Sequence, residues 1–165
     1  KNYGGEILIE SEQGKGTSCS VYFPVSDKKV DFQTPTSSTE LPGGSERILV
    51  VDDEQAIVKS AATYLRRLGY EVTTRLSSLD ALKLIRNDPG RFDIVVSDLT
   101  MPQMTGDELS MEILSIRSDM PIILCTGYSN RISEKEAAKI GVRAFVLKPF
   151  TQHEIALTIR RALDE

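Results

Sequence analysis

From residue 46 onward the sequence alternates in a way that admits few folds. Short apolar, β-rich runs fall at Arg47–Val51, Glu71–Thr74, Ile94–Ser97, Ile122–Cys125 and Ala144–Leu147. Between and after them apolar residues recur at helical spacing: Ile57, Ala61, Leu65 and Leu68; Leu109, Ile113 and Ile116; Ile155, Ile159 and Leu163. Thr105-Gly-Asp-Glu108, Ser133-Glu-Lys-Glu136 and Thr151-Gln-His-Glu154 have the form of capping boxes, and so mark helix starts. Gly69 and Gly141 stand where a left-handed residue closes a helix. Strand-then-helix units in succession imply an α/β domain, with a parallel sheet covered on both faces. Right-handed crossovers leave few topologies, of which the order 2-1-3-4-5 sets the first, third and fourth of these strands side by side. In such a sheet chemistry gathers outside the carboxyl ends of the strands.

The residues before this zone differ. Glu6–Glu10 and Ser18–Pro24 read as two short strands around Gln13-Gly-Lys-Gly-Thr17, a hairpin. Two strands do not stand alone, so residues 1–25 are expected to be the remnant of a larger sheet. Residues 26–45, rich in Pro, Ser, Thr and Gly, have linker composition and are expected to be flexible unless packed on a neighbour. The chain opens on Lys without a signal-peptide pattern, and is expected to be a piece of a longer protein. Of its 165 residues 40% are hydrophobic and 27% charged, which excludes disorder throughout. No apolar run approaches the ~18 residues of a membrane span. A net charge of -4 argues against a nucleic-acid surface, which needs a basic patch. The two cysteines, Cys19 and Cys125, sit among apolar residues and suggest a reducing, cytoplasmic setting rather than a disulfide framework.

The strand ends carry the chemistry. The first run ends in Asp52-Asp53, the third in Asp98, the fourth in Thr126 and the fifth in Lys148-Pro149. Three carboxylates, a hydroxyl and an ammonium are thereby delivered to one edge. Carboxylates crowded in a cleft repel, and a hard divalent cation with oxygen ligands, Mg²⁺, relieves them. Three aspartates and one lysine leave a charge that Mg²⁺ cancels, so the site accepts an incoming anion such as a phosphoryl group. A carboxylate between metal and lysine is then a candidate nucleophile.

At this point residues 46–165 are identified as resembling the receiver domain of two-component response regulators, a flavodoxin-like (βα)5 doubly wound fold. The resemblance rests on Ile48-Leu-Val-Val-Asp-Asp-Glu54, Asp93-Ile-Val-Val-Ser-Asp-Leu-Thr-Met-Pro-Gln-Met-Thr-Gly106, Pro121-Ile-Ile-Leu-Cys-Thr-Gly127 and Gly141-Val-Arg-Ala-Phe-Val-Leu-Lys-Pro-Phe150, in order and spacing. It implies that Asp98 is the phospho-acceptor and that Asp53, Asp98 and the Thr100 carbonyl bind Mg²⁺, with Asp52 acting mainly through water. It implies that Thr126 and Lys148 engage the phosphoryl group, that Thr126 and the aromatic Phe145 form the switch, and that Lys148-Pro149 is cis. Phosphorylation would shift the fourth and fifth strand–helix units. Thr100 and Tyr128 would tune hydrolysis of the acyl phosphate.

The opening segment, with Gly4-Gly5, Gly14-x-Gly16-Thr17 and Phe23-Pro24, is similar to the end of a histidine-kinase ATPase domain. Kinase end, linker and receiver together are the layout of a hybrid sensor histidine kinase. The family's Asn-bearing helix, Asp-x-Gly motif and phosphorylatable histidine are not found in these residues. The chain as a whole is therefore expected to accept and slowly hydrolyse phosphate, neither binding ATP productively nor phosphorylating its own histidine. Partners implied are the phosphohistidine of its own or another kinase and a His-containing phosphotransfer protein; the parent protein could be membrane-attached.

Blander readings stand beside these. Asp52-Asp53 alone is most often a solvated strand end, Thr126 a satisfied hydroxyl, Lys148 a surface lysine and Phe145 plain core. Cys125 reads as a small buried hydrophobe, Gly14-Lys-Gly16 as a turn, His153 as a solvated first-turn residue, and Arg160 and Arg161 as a wet helix face. Two other functions compete: a Mg²⁺-dependent phosphatase with an aspartate nucleophile, whose usual Asp-x-Asp is missing at Asp98-Leu-Thr100, and a pseudo-receiver that only docks.

Overall fold

Ile48 and Val50 pack into one hydrophobic cluster while Leu49 and Val51 pack into another, the alternation of a strand buried on both faces. The computed structural model describes residues 4–25, 41–127 and 141–164. The chain divides into two compact units, Lys1–Ser38 and Thr39–Glu165.

In the first unit β1 (Glu6–Glu12) pairs antiparallel with β2 (Gly16–Tyr22). The strands run closer to the turn than the sequence suggests, because Lys15 N–H bonds the Glu12 carbonyl at 3.0 Å and closes the loop there. Phe23 and Pro24 lie beyond the strand. Ile7, Ile9, Val21 and Phe23 are exposed, so this two-stranded sheet has not buried its apolar side chains within the described residues.

The second unit follows the alternation read from the sequence. Its elements are β3 (Arg47–Val51), α1 (Gln55–Arg67), β4 (Glu71–Arg75), α2 (Ser78–Asn87), β5 (Ile94–Asp98), α3 (Gly106–Ile116), β6 (Ile122–Thr126), β7 (Ala144–Leu147) and α4 (Gln152–Asp164). The sheet order is β4-β3-β5-β6-β7, with every neighbouring pair parallel. This is the 2-1-3-4-5 order expected for the flavodoxin-like doubly wound fold. Tyr64 and Leu65 of α1 and Ile155 and Ile159 of α4 share a cluster with Ile48, Ile94 and Ile123. Ala81 and Ile85 of α2 and Leu109 and Ile113 of α3 share the other with Leu49, Val95 and Ile122. Each such aliphatic side chain contributes about 1.5–3 kcal/mol when fully buried.

Local signals account for the helix ends. Thr105 N–H donates to Glu108 Oε2 at 3.0 Å, and Thr151 N–H to Glu154 Oε2 at 2.7 Å, so both boxes cap their helices. The box at Ser133–Glu136 lies outside the described residues. Gly69 takes φ 99° after α1, a conformation that costs glycine nothing. Helix α2 was missed by the spacing argument; Ala81, Leu82 and Ile85 bury its inner face, and the Ser77 hydroxyl accepts from Asp80 N–H at 3.4 Å. On α1 the core face is Val58, Ala62, Tyr64 and Leu65, whereas Ile57 and Ala61 are only half-buried. Of the stretch with linker composition only 41–45 is described, and there it packs: Leu41 lies against the α1–α4 cluster and Gly44 N–H bonds the Leu68 carbonyl at 3.1 Å. Among the described residues no helix is long and apolar enough to cross a membrane.

Candidate functional site

Parallel pairing carries the functional side chains to one edge of the sheet. Asp98 is itself the last residue of β5 and pairs with Cys125, and Thr126 is the last of β6 and pairs with Leu147. Strands read from the sequence as ending one residue earlier extend to include them, because their backbones still find ladder partners. Lys148 N–H bonds the Thr126 carbonyl at 2.7 Å, which places the lysine one step beyond β7. The Lys148-Pro149 bond is cis.

The centre of the site is an ammonium held between two buried carboxylates. Lys148 Nζ lies 2.6 Å from Asp52 Oδ2 and 2.6 Å from Asp98 Oδ1. Asp52 is 4% exposed and Asp98 8%. Their other oxygens are also held: Asp52 Oδ1 accepts from Glu54 N–H at 2.9 Å, and Asp98 Oδ2 from Thr100 N–H at 2.8 Å. Burial by itself would lower the Lys148 pKa, but hydrogen bonds and charge attraction from Asp52 and Asp98 outweigh it and hold the pKa above the ordinary lysine value. Lysine is therefore a fixed cation here. Two carboxylates and one ammonium leave a net negative charge, a condition that invites a cation.

The loop after Asp98 is pinned. Gly106 N–H bonds the Leu99 carbonyl at 2.8 Å, and Ser78 Oγ donates to the Met104 carbonyl at 2.9 Å. A Cβ on Gly106 would sit 2.1 Å from the Asp98 carbonyl oxygen and 2.9 Å from Leu99 Cα, so only glycine fits. Gln103 takes φ 70° in the same loop. Thr126 is buried, and its hydroxyl donates to the Gly127 carbonyl at 3.2 Å. The Cys125 thiol beside it is pushed up to about 12 by burial, which leaves it an un-ionised apolar filler.

Asp52, Asp98 and Lys148 are thus brought together, with Thr126 on the adjoining strand end. Asp53 and Thr100 are exposed at the same edge, and Asp53 stands outside the hydrogen-bonded set. Phe145 is half-buried on β7. His153 is exposed, and Tyr128 lies outside the described residues. Among the described residues no three acidic, histidine or cysteine side chains cluster closely enough to hold an ion as they stand. The donor set nevertheless fits a hard cation: it is all oxygen, it carries excess negative charge, and each carboxylate keeps unused lone pairs. Three features escaped the sequence reading. Direct pairing of Asp52 with Lys148 depends on two side chains 96 positions apart. Gly106 was read as part of a cap, while its close approach to Asp98 gave no separate signal. Arg160, read as wet surface, is half-buried, with Nη1 2.7 Å from Glu46 Oε1 and Nη2 2.8 Å from Asp164 Oδ1.

Comparison with known proteins agrees with this fold. The family described as response regulator receiver domain matches residues 48–160. The sensor kinase CckA of Brucella abortus is 30% identical over 174 aligned positions, covering 100% of this chain and 18% of its own length. The response regulator SaeR of Staphylococcus aureus is 36% identical over 116 residues, 70% of this chain and 50% of SaeR. Among solved structures, a response regulator receiver domain protein from Clostridium thermocellum superposes with a TM-score of 0.69 at 30% identity, covering 72% of this chain and 94% of that one. The FixJ-N crystal structure does so at 0.66 and 31% identity, covering 74% and 96%. The chain spans about half the length of SaeR and less than a fifth of CckA.

Proposed function

The chain belongs to the response regulator receiver family of two-component systems, and on that premise we propose that Asp98 takes a phosphoryl group from a phosphohistidine. The observation that carries this reading is the Lys148 ammonium poised 2.6 Å from the buried Asp98 carboxylate. An Asp98 oxygen attacks phosphorus in line, the P–N bond breaks, and its electron pair leaves with the imidazole, which takes a proton from solvent. Thr100 N–H fixes the plane of the carboxylate during attack. Lys148 then turns from carboxylate to phosphoryl oxygen, and Thr126 re-aims its hydroxyl at another. Receiver domains in general take up Mg²⁺. Asp52, Asp53, Asp98 and the Thr100 carbonyl would hold it here, and when bound it neutralises charge on the phosphoryl oxygens. Movement of Thr126 and half-buried Phe145 would carry the change to the outer faces of β6, β7 and α4.

Wider context is proposed on the same footing. Residues 1–25 are the end of a kinase ATPase domain, 26–45 a linker and 46–165 the receiver. The exposed apolar side chains of the β1–β2 hairpin support this, as does the match of this whole chain to 18% of a sensor kinase. The phosphoryl donor is then that kinase or another, the acceptor downstream a His-containing phosphotransfer protein, and the compartment cytoplasmic. Acetyl phosphate with Mg²⁺ tests the centre: the intact chain should gain about 80 Da, the mass of one phosphoryl group, and Asp98→Asn should not. An unmodified wild type, or an equal adduct on the variant, overturns the assignment.

A further inference from the structure

Strand β4 closes one side of the five-stranded sheet and has a strand neighbour, β3, on one flank only. Glu71 N–H bonds the Glu46 carbonyl at 3.0 Å, and the Arg75 carbonyl accepts from Asp52 N–H at 3.2 Å. Glu71, Thr73 and Arg75 therefore turn their backbone groups toward β3, while Val72 and Thr74, between them, turn theirs to the open flank. Such a row of outward groups is a ready place for another strand to pair. Here both outward carbonyls are taken by arginines from two different elements. Arg66, near the end of α1, reaches across and donates from Nη2 to the Val72 carbonyl at 2.7 Å. Arg75 folds back along its own strand and donates from Nη1 to the Thr74 carbonyl at 2.6 Å. Elsewhere in the domain arginines are spent on carboxylates: Arg47 on Asp93, Arg86 on Glu112, Arg117 on Asp119 and Arg160 on Glu46. The two at this edge are spent on backbone.

We propose that the open edge of β4 is a strand-pairing surface for a second copy of this chain, and that Arg66 and Arg75 hold it closed by occupying the carbonyls the second strand would use. The edge is its own complement, which is why the occupant is another copy. In an antiparallel register centred on Thr73, Val72 of each copy stands opposite Thr74 of the other, and each such pair exchanges both of its N–H···O bonds about a two-fold axis. Both residues are β-branched and suit a strand. The arginines oppose this pairing twice over. Their hydrogen bonds compete for the same acceptors, and two edges brought together would face cation with cation. This surface stands independently of any role for Asp98.

Hydrogen exchange of the Val72 and Thr74 amides, followed by NMR on the 165-residue chain as its concentration is raised to about 1 mM, reads the edge directly. In the wild type both amides should exchange at a rate independent of concentration. In the double variant Arg66→Ala, Arg75→Thr, which frees both carbonyls and keeps a strand-forming residue at position 75, both should slow about tenfold or more as concentration rises, in step with a weight-average mass moving toward that of a dimer. Arg66→Lys with Arg75→Lys retains the cations and should behave as the wild type. Adding Thr74→Pro to the opened variant removes an outward N–H without touching the β3 ladder, and should abolish the effect. If Arg75→Thr does not fold, exposed Arg66→Ala alone frees the Val72 carbonyl and should slow the Thr74 amide about threefold. Exchange that stays independent of concentration in the opened variants overturns the proposal. So does association that survives Thr74→Pro, and so does equal slowing in the wild type, which would show that the arginines close nothing.

Discussion

Replacing Lys148 with methionine removes the ammonium and keeps most of the stem. In the wild type the side chains of Asp52 and Asp98 are 6% and 9% exposed, and that of Lys148 23%. Breaking a buried ion pair by removing one partner costs about 3–5 kcal/mol, because the remaining charge is left uncompensated. The lysine's partial exposure puts this site at the low end, about 3 kcal/mol. Asp98→Asn removes one of the two carboxylates, so in that background Lys148→Met should cost only about half as much. Urea unfolding followed by circular dichroism at pH 7.5, free of divalent cations, measures all four species of this cycle. Mg²⁺ should recover part of the loss, since an ion bound only by the folded state stabilises it. A cost of under about 0.5 kcal/mol, or an equal cost with and without Asp98, would refute the bridged-carboxylate argument.

Other expectations follow from single contacts. Gly106→Ala forces a Cβ to within 2.1 Å of the Asp98 carbonyl oxygen and should cost about 1–3 kcal/mol in the same unfolding assay, with slower acetyl-phosphate labelling because Asp98 moves. Asp93 is held below the usual carboxylate range by its side-chain hydrogen bonds to Arg47, which are opposed by burial and reinforced by a backbone bond. Its contribution is therefore present above the unfolded-state pKa and lost as pH falls through the lowered folded-state value; being partly exposed, it should be worth under about 1 kcal/mol, and Asp93→Asn should flatten that acid limb of the stability curve. Of the two thiols, exposed Cys19 should react within minutes with a disulfide reagent at pH 8, while Cys125, pushed up to about 12, should react only after unfolding in urea. Rapid reaction of both in the native state would show that β6 opens at its carboxyl end.

What the sequence made legible was whatever short-range pattern determines. The apolar runs of β3, β5 and β6 set central strands, because residues buried on both faces must be continuously apolar, and the boxes at Thr105 and Thr151 set the starts of α3 and α4, because their hydrogen bonds close within four residues. Asp98, Thr126 and Lys148 were legible for the same reason: a strand's carboxyl end is a place in the sequence as well as in space. Pairing between distant residues was less accessible. Asp52 and Asp53 look equivalent as neighbours, yet one is buried against Lys148 and the other exposed, a distinction set by where β7 delivers the lysine. Arg160 looked like surface because its partner Glu46 is 114 positions away.

The same reasoning explains why the cleft of about 590 Å³ between α1 and α4, lined by Ile57, Ala61 and Ile155, had no signature in the sequence. On a helix the 3.6-residue period fixes which positions share a face, but the width of that face in contact with the sheet depends on how closely the neighbouring helix approaches. Ile57, Ala61 and Leu65 form a regular stripe, and a stripe predicts burial. Here α4 covers the α1–sheet seam through Ile155 and Ile159 and leaves Ile57 and Ala61 half open. The Tyr64 hydroxyl is buried away from the cleft, with no hydrogen-bond partner among the described residues. Spacing rules bring Asp98, Thr126 and Lys148 to one sheet edge because they describe single elements; they miss the cleft because it is defined by the distance between two.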